Sequence, residues 1–414
     1  MNFDEAMEFI NSFSRSGKKV EDLSRIKQLL DKIGNPQDSL KFIHIAGTNG
    51  KGSVLEYCSE ILIEAGYKTG QFTSPFMECY CDRIRINRKN ISEEELAEIC
   101  SSFADFADAP FSQFEISLAV AFLYFKRHKC DIVCLETGLG GRLDATNIIK
   151  NPIVSIITSV SLDHMQVLGE TVEEIAKQKA GIIKPGCPCI LSAQNKQSVE
   201  EIVRKNAEEN KSPLIIPDSE KIEILMEELN GTEFVYKGEK YRINMPGFHQ
   251  VLNAVTALEA VNIIRDRGFE LDNKSIYTGL GQALVVSRIE VVNKEPEIII
   301  DGGHNEAGID SLINVLKLEK NKSVIGVVGM VKGKNYKYAG KRLSEIFDYA
   351  FCVDGFDENS VEAGVLAECF KCPNEYSDYI SGMKKAIEYA KKKSALLVVC
   401  GSLYFASAVR RFCL

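Results

Sequence analysis

The segment Gly47-Thr48-Asn49-Gly50-Lys51-Gly52-Ser53 combines the residue types that grip a phosphate chain. Its three glycines let the backbone turn N–H groups inward, and a helix following the loop would aim its positive end at an anion. Lys51 would supply a point charge, and Ser53 a hydroxyl for phosphate or Mg²⁺. Gly52 separates Lys51 from Ser53, so the loop departs from the general G-x-x-x-x-G-K-[ST] pattern. Three further groups follow apolar runs in the same way: Ser74, Glu136 and the pair Asp163-His164. A carboxylate opposite a phosphate loop suits a Mg²⁺ ligand. His164 reads as a metal or catalytic group because it falls at the same kind of position, and not for its residue type alone.

Lys179 is a quieter signal. Thr171 and Glu174 form a capping box that starts a helix, and its apolar face reads Val172, Ile175, Ala176, Lys179, Ile183. A lysine on a buried stripe is either neutral or chemically engaged, because an unpaired buried ammonium is expensive. A lysine that snorkels to solvent fits the same periodicity.

The elements that must position these groups alternate. Residues 3–33 read as two helices, ended by Gly34 and Pro36. A strand at Phe42–Ala46 runs into the glycine loop, a helix with Val54, Leu55, Cys58, Ile61, Leu62 and Ala65 on one face follows, and Lys68–Thr73 forms the next strand. That is a βαβ unit with a right-handed crossover. Further strands are expected at Ile132–Leu135, Ile153–Thr158, Cys189–Leu191 and Leu214–Ile216. A hairpin is expected over 233–243 and a long helix over 250–267. A second α/β series begins near Glu290, with strands at Ile298–Ile300, Val324–Val328, Ala350–Val353 and Leu396–Cys400. In open parallel sheets, ligands bind beyond the carboxyl ends of the strands, so the four groups above would share one rim.

The bulk numbers set limits. A chain of 414 residues is too long for one core, and two α/β domains are expected, 1–286 and 287–414. With 50 basic and 58 acidic side chains, the net charge of −8 argues against a nucleic-acid binder or an anionic-membrane binder. No apolar run approaches the ~20 residues that span a bilayer, and the acidic amino terminus lacks the order of a signal peptide. A cytoplasmic protein is expected. The 13 cysteines include close pairs, Cys79/Cys81, Cys187/Cys189 and Cys369/Cys372, but complete no zinc pattern, so buried reduced thiols are expected.

Together these residues resemble the folylpolyglutamate synthase/dihydrofolate synthase branch of the Mur ligase family. The resemblance rests on HIAGTNGKGSV (44–54), FTSPFMECYCDRIRIN (72–87), SQFEISLAVAFLYF (112–125), ETGLGGRLDATN (136–147) and SVSLDHMQVLG (159–169). It continues through KQKAGIIKPG (177–186), GFHQVLNAVTA (247–257), DGGHNEAG (301–308) and CGSLYF (400–405). It implies a phosphate-loop domain with a parallel sheet, followed by a smaller Rossmann-like domain.

The resemblance also implies roles. Gly47, Thr48, Asn49, Gly50, Lys51, Gly52 and Ser53 would hold ATP, together with Asn253, Arg288, Asp301 and His304. Ser53, Ser74, Glu136 and His164 would hold Mg²⁺, at two sites. Lys179 would be carbamylated, which explains a lysine that periodicity left open. Lys51, Glu136, His164 and Lys179 form the expected catalytic set, with a monovalent cation completing the cofactors. Substrate contacts would fall on Asp22, Leu23, Ser24, Arg25, Arg83, Ser112, Gln113, Phe114, Glu115, Leu143, Asp144 and Ala145. The activity implied is ATP-driven addition of L-glutamate to dihydropteroate, to reduced folates, or to both, by a monomer acting on small molecules. Only 46 residues precede Gly47, too few for the UDP-sugar domain of peptidoglycan-precursor ligases. The chain departs from the family at Val286-Ser287, where Pro-Gly commonly precedes the arginine matching Arg288, and at Asp82, where Glu is usual. After Gly355 it lacks the usual arginine and proline. A phosphate-loop kinase or NTPase and a binding protein without catalysis are the competing readings. A ligase assay separates the first, and the intact Lys51, Ser74, Glu136, His164 and Lys179 set opposes the second.

Overall fold

A computed structural model describes residues 1–14, 21–106, 109–319 and 321–413. The chain divides into two compact units, Met1–Ile222 with Leu252–Ala283, and Glu223–Val251 with Leu284–Leu414.

The first unit is built on an eight-stranded sheet of β1 (Phe42–Ala46), β2 (Thr69–Phe72), β3 (Ile84–Ile86), β4 (Lys89–Asn90), β5 (Ile132–Glu136), β6 (Val154–Ile157), β7 (Cys189–Leu191) and β8 (Leu214–Ile215). The spatial order is β4-β3-β2-β5-β1-β6-β7-β8. Strands β2, β5, β1, β6, β7 and β8 are parallel, whereas β3 and β4 add an antiparallel edge. All five residues of β1 are buried, as expected of a strand covered by helices on both faces. One cover packs Phe42, Phe72, Val133 and Leu135 against the helix Gln113–Arg127 and the amino-terminal helices. The other packs Ala46, Ile157 and Leu191 against the helices Val172–Ala180 and Gln197–Glu209. The chain leaves β1 toward β2 on one side and later reaches β6 on the other. The glycine loop therefore lies where the strand order reverses, the usual ligand crevice of such sheets.

The second unit carries β9 (Ile222–Glu228, from Glu223), β10 (Gly231–Tyr236) and β11 (Glu239–Ile243) as a three-stranded sheet. Lys237 and Gly238 both take positive φ, 51° and 85°, the geometry of a two-residue hairpin turn. The larger sheet comprises β12 (Glu290–Lys294), β13 (Glu297–Ile300), β14 (Val324–Val328), β15 (Tyr349–Asp354), β16 (Asn374–Asp378) and β17 (Leu396–Cys400), in the order β12-β13-β17-β14-β15-β16. Alternate side chains serve two cores: Ile299, Val328 and Val398 face one, and Ile298, Ile300, Val327 and Val399 the other.

The expected strands appear within a residue or two of their predicted limits. The division of the chain differs from a single cut at 286, because residues 223–251 join the second unit. Leu229 is buried among Ile289, Ile309 and Val315, which anchors that segment there. Strands β4, β9, β12 and β16 lie at sheet edges and β3 is only three residues long, so all five escape the periodicity; β16 reads Asn-Glu-Tyr-Ser-Asp. All 13 cysteines are free and ten are buried, but Cys79 is exposed and Cys369 and Cys372 are partly so. Among the described residues no helix is long and apolar enough to cross a membrane.

Candidate active site

The glycine loop gets its shape from steric necessity. Gly50 opens the helix Lys51–Glu64 with φ 86°, and a Cβ there would stand 2.5 Å from Asn253 Oδ1. A Cβ on Gly47 would stand 1.7 Å from Thr158 Oγ1. The stretch after β6 clasps the loop: Thr48 N donates to Ser159 O at 2.6 Å, and Thr158 Oγ1 donates to Asn49 O at 2.7 Å. Thr48 Oγ1 donates to Ser161 O and accepts from Ser161 N, both at 3.1 Å. Asn253 is held by Gln194, whose Nε2 donates to Oδ1 at 3.2 Å. Neither Thr158 nor Ser159 is among the expected site residues; both are polar at the end of an apolar strand, and Ser159 opens the segment 159–169 that carries the resemblance.

Lys51 Nζ lies 3.7 Å from Glu136 Oε1 and donates to Thr48 O at 3.3 Å. Glu136 is buried at the end of β5, and its Oε2 accepts from Ser74 N at 3.3 Å. Ser53 is buried in the first helical turn. Lys51, Ser74 and Glu136 are thus brought together as the rim argument expects. His164 follows the next strand with φ 49°, heading the short helix Met165–Leu168. Its Nε2 lies 3.9 Å from Asp163 Oδ1, and half of its side chain is exposed.

Lys179 does not snorkel. Its side chain is buried, and Nζ donates to Gly47 O at 2.7 Å. Burial, helped by the Lys51 charge and opposed by Asp163 and Asp144, brings its pKa down to about 7. At neutral pH a substantial fraction of the amine is therefore uncharged and nucleophilic.

Among the described residues no three His, Cys, Asp or Glu side chains gather into a ready-made metal cage. The donors present are the Glu136 carboxylate with Ser74 and Ser53. Hard oxygen donors in small number fit Mg²⁺, which is commonly held by one or two protein groups and completed by phosphate and water.

The expected substrate residues fall into three groups. Glu115 caps its helix through Ser112, accepting from Ser112 N at 2.7 Å and Oγ at 2.8 Å, and pairs with Arg25 Nε at 3.4 Å. Asp22 Oδ1 accepts from Ser24 N at 2.8 Å, and Gln113 Nε2 donates to Asn11 O at 3.4 Å. Leu23 is the residue before the helix Ser24–Lys32, and Phe114 stacks edge-on with Phe72 at 5.6 Å. The second group is Leu143, Asp144 and Ala145. Asp144 is buried and spends its carboxylate within its own loop, accepting from Leu139 N at 2.7 Å, Thr146 N at 3.0 Å and Thr146 Oγ1 at 2.6 Å. Burial raises its pKa against those bonds. The third is Arg83, whose guanidinium lies 5.4 Å from the Tyr80 ring centre and 5.7 Å from that of Phe76. Its Nε is buried with no partner among the described residues. Phe76 and Tyr80 lie within the segment 72–87 that carries the resemblance, but neither is among the expected substrate residues.

In the second unit, Asp301 is buried and accepts from Gly303 N at 2.8 Å and Ile289 N at 3.1 Å. Burial raises its pKa, and Arg288 and those amides oppose the rise. His304 Nδ1 and Gly302 O lie 3.0 Å apart. Ser287 and Ile289 flank Arg288 with φ 58° and 50°. Ser287 thus adopts, without being a glycine, the left-handed conformation that a glycine takes without cost.

A phosphate loop on a parallel sheet, followed by a second α/β unit, is what this chain shares with a class of ligases. A Mur ligase middle-domain model matches residues 45–261, and a Mur ligase glutamate-ligase-domain model matches 287–403. The chain belongs to the Mur ligase family. It is 35% identical over 408 residues to the dihydrofolate synthase/folylpolyglutamate synthase of Bacillus subtilis, covering 94% of each chain. It is 30% identical to the folylpolyglutamate synthase of Lacticaseibacillus casei, covering 99% of this chain and 98% of that one. Among solved structures, Mycobacterium tuberculosis folylpolyglutamate synthase complexed with ADP superposes with a TM-score of 0.88 at 26% identity, covering 99% and 98%. A folylpolyglutamate synthase–AMPPCP–folate complex superposes with a TM-score of 0.87 at 29% identity over the whole of both chains.

Proposed function

We propose that this ATP-dependent ligase joins L-glutamate to dihydropteroate and to reduced folate glutamates, through an acyl phosphate. The observation that carries the reading is the convergence on one loop of Lys51, Glu136 with Ser74, and the buried Lys179 amine. The relative from B. subtilis bears both synthase names, which favours a bifunctional enzyme.

A carboxylate and an amine do not condense in water, because the oxygen is a poor leaving group. A carboxylate oxygen of the pteroate substrate attacks the γ-phosphorus of ATP, the bond to the β-γ bridging oxygen breaks, and ADP leaves. The glutamate nitrogen, having lost its proton, then attacks the acyl carbon and inorganic phosphate departs with the carbon–oxygen bond pair. The loop amides and Lys51 offset charge on the phosphoryl oxygens. Ser53, Ser74, Glu136 and His164 would hold Mg²⁺, which supplies Lewis-acid charge at those oxygens. Lys179 attacks carbon dioxide through its neutral amine, releasing a proton and becoming a carbamate that supports the metal side of the site. Asn253, Arg288, Asp301 and His304 serve the nucleotide, and Arg83 serves the acid substrate.

Carboxylate-labelled ¹⁸O-dihydropteroate tests the route. One labelled oxygen per turnover appears in inorganic phosphate if the acyl phosphate forms; phosphate without label overturns the mechanism.

A further inference from the structure

The helix that opens on the phosphate loop carries acids at Glu56, Glu60 and Glu64, spaced one turn apart. On a solvated face they would be unremarkable, but Glu56 and Glu60 are only 6% and 3% exposed. They meet the edge hairpin of β3 and β4. Arg85 Nη2 donates to Glu56 Oε2 at 2.8 Å, and Gln71 Nε2 donates to the same oxygen at 3.0 Å. Gln71 and Arg85 face each other in the β2–β3 register, so both strands are tied to one carboxylate. Farther along the helix, Arg88 donates to Glu60 through Nε at 2.9 Å, to Glu64 at 2.6 Å and to Gln282 Oε1 at 3.1 Å.

We infer that Glu56 and Arg85 are positioning residues, which fix Arg83 relative to the phosphate loop and so set affinity for the acid substrate. The inference rests on the ligase reading above. The links are short and stiff: Glu56 is one helical turn after Ser53, and Arg85 stands two residues after Arg83. The loop from Ser74 to Arg83 is anchored at its other end, where Ser74 meets Glu136. Its interior is drawn together by Asp82 Oδ2, which accepts from the amides of Met77, Glu78 and Cys79 at 2.9, 2.7 and 3.3 Å. An apolar pair could hold a hairpin on a helix as firmly as a buried ion pair does. What the ion pair adds is direction. Among the described residues Arg85 Nε is buried without a partner, so the guanidinium is held at its Nη2 end, which ties its position to Glu56.

The test compares Glu56→Gln, Arg85→Gln and Arg85→Lys with the control Arg88→Gln, each held well below its own Tm. KM is measured for dihydropteroate, ATP and glutamate, and Kd for dihydropteroate by fluorescence titration. Glu56→Gln and Arg85→Gln raise KM and Kd for dihydropteroate about tenfold and leave KM for ATP within about twofold. Arg85→Lys, which keeps the charge, recovers most of the loss. Arg88→Gln lowers Tm without moving either constant. Unchanged dihydropteroate constants beside a lowered Tm overturn the inference, and so does a rise in KM for ATP equal to that for dihydropteroate. A wild type that binds dihydropteroate but makes no product overturns the ligase reading instead, and the Kd series still decides the inference.

Discussion

Lys179 Nζ donates to the carbonyl of Gly47 across 132 positions of sequence, at 2.7 Å. The helix Val172–Ala180 is thereby tied to the first residue of the phosphate loop. An amine held there with a pKa of about 7 is available to carbon dioxide under conditions in which an ordinary lysine is almost wholly an ammonium.

Lys179→Ala is therefore expected to lose ligation and to regain part of it with added formate or acetate, which restore a carboxylate to the space. Wild-type enzyme stripped of carbon dioxide should recover faster at pH 8 than at pH 6 when dissolved carbon dioxide is held at the same concentration, because protonation below pH 7 removes the nucleophile. Full activity in Lys179→Ala, or recovery indifferent to pH, contradicts the carbamate.

Gly50→Ala tests the loop geometry. A left-handed φ costs an L-residue roughly 1–2 kcal/mol, and the new Cβ presses on Asn253 Oδ1. Urea unfolding should show a loss of about 2 kcal/mol, with a raised KM for ATP. A variant as stable as the wild type would mean that the loop relaxes freely.

Lys51→Met should lower kcat by about 10²–10³ while the fold persists, since its charge acts on the transferring phosphoryl oxygens. Single-turnover kinetics with saturating ATP read this directly. A change confined to KM for ATP would place Lys51 in binding alone.

His44 predicts the acid limb of stability. It is fully buried against Thr146 Oγ1 at 2.9 Å, and burial, aided by the Lys184 charge, lowers its pKa to about 3. Above its ordinary value of 6.5 the imidazole is neutral in both states and contributes nothing. As pH falls from 6.5 to 3 only the unfolded chain takes the proton, so the native state loses up to on the order of 4 kcal/mol. His44→Leu should flatten that limb in urea titrations at pH 4 to 7. An unchanged slope would mean that His44 is protonated in the fold.

Much of this candidate site was legible because it is local in sequence. The glycine loop, Ser74, Glu136 and the Asp163-His164 pair each follow an apolar run, and parallel topology delivers strand ends to one rim. What stayed hidden depends on distant partners. Periodicity put Lys179 on a buried stripe but could not tell snorkelling from engagement, because its acceptor is a backbone carbonyl in another element. Glu56 and Glu60 look like solvated acids until the β3–β4 hairpin covers them, and β3 itself is too short for its pattern to be read. Ser287 shows the reverse: the sequence departs from the common Pro-Gly there, and the backbone nevertheless takes a positive φ.

One product analysis tests the proposed ligation. Protein, ATP, Mg²⁺ and L-glutamate are incubated with dihydropteroate or with a tetrahydrofolate monoglutamate, and the products are resolved by mass. Each acid should gain the mass of one glutamate less one water, with one ADP and one phosphate released per bond. ATP turnover that needs no glutamate and leaves both acids unchanged in mass would contradict the proposed ligation.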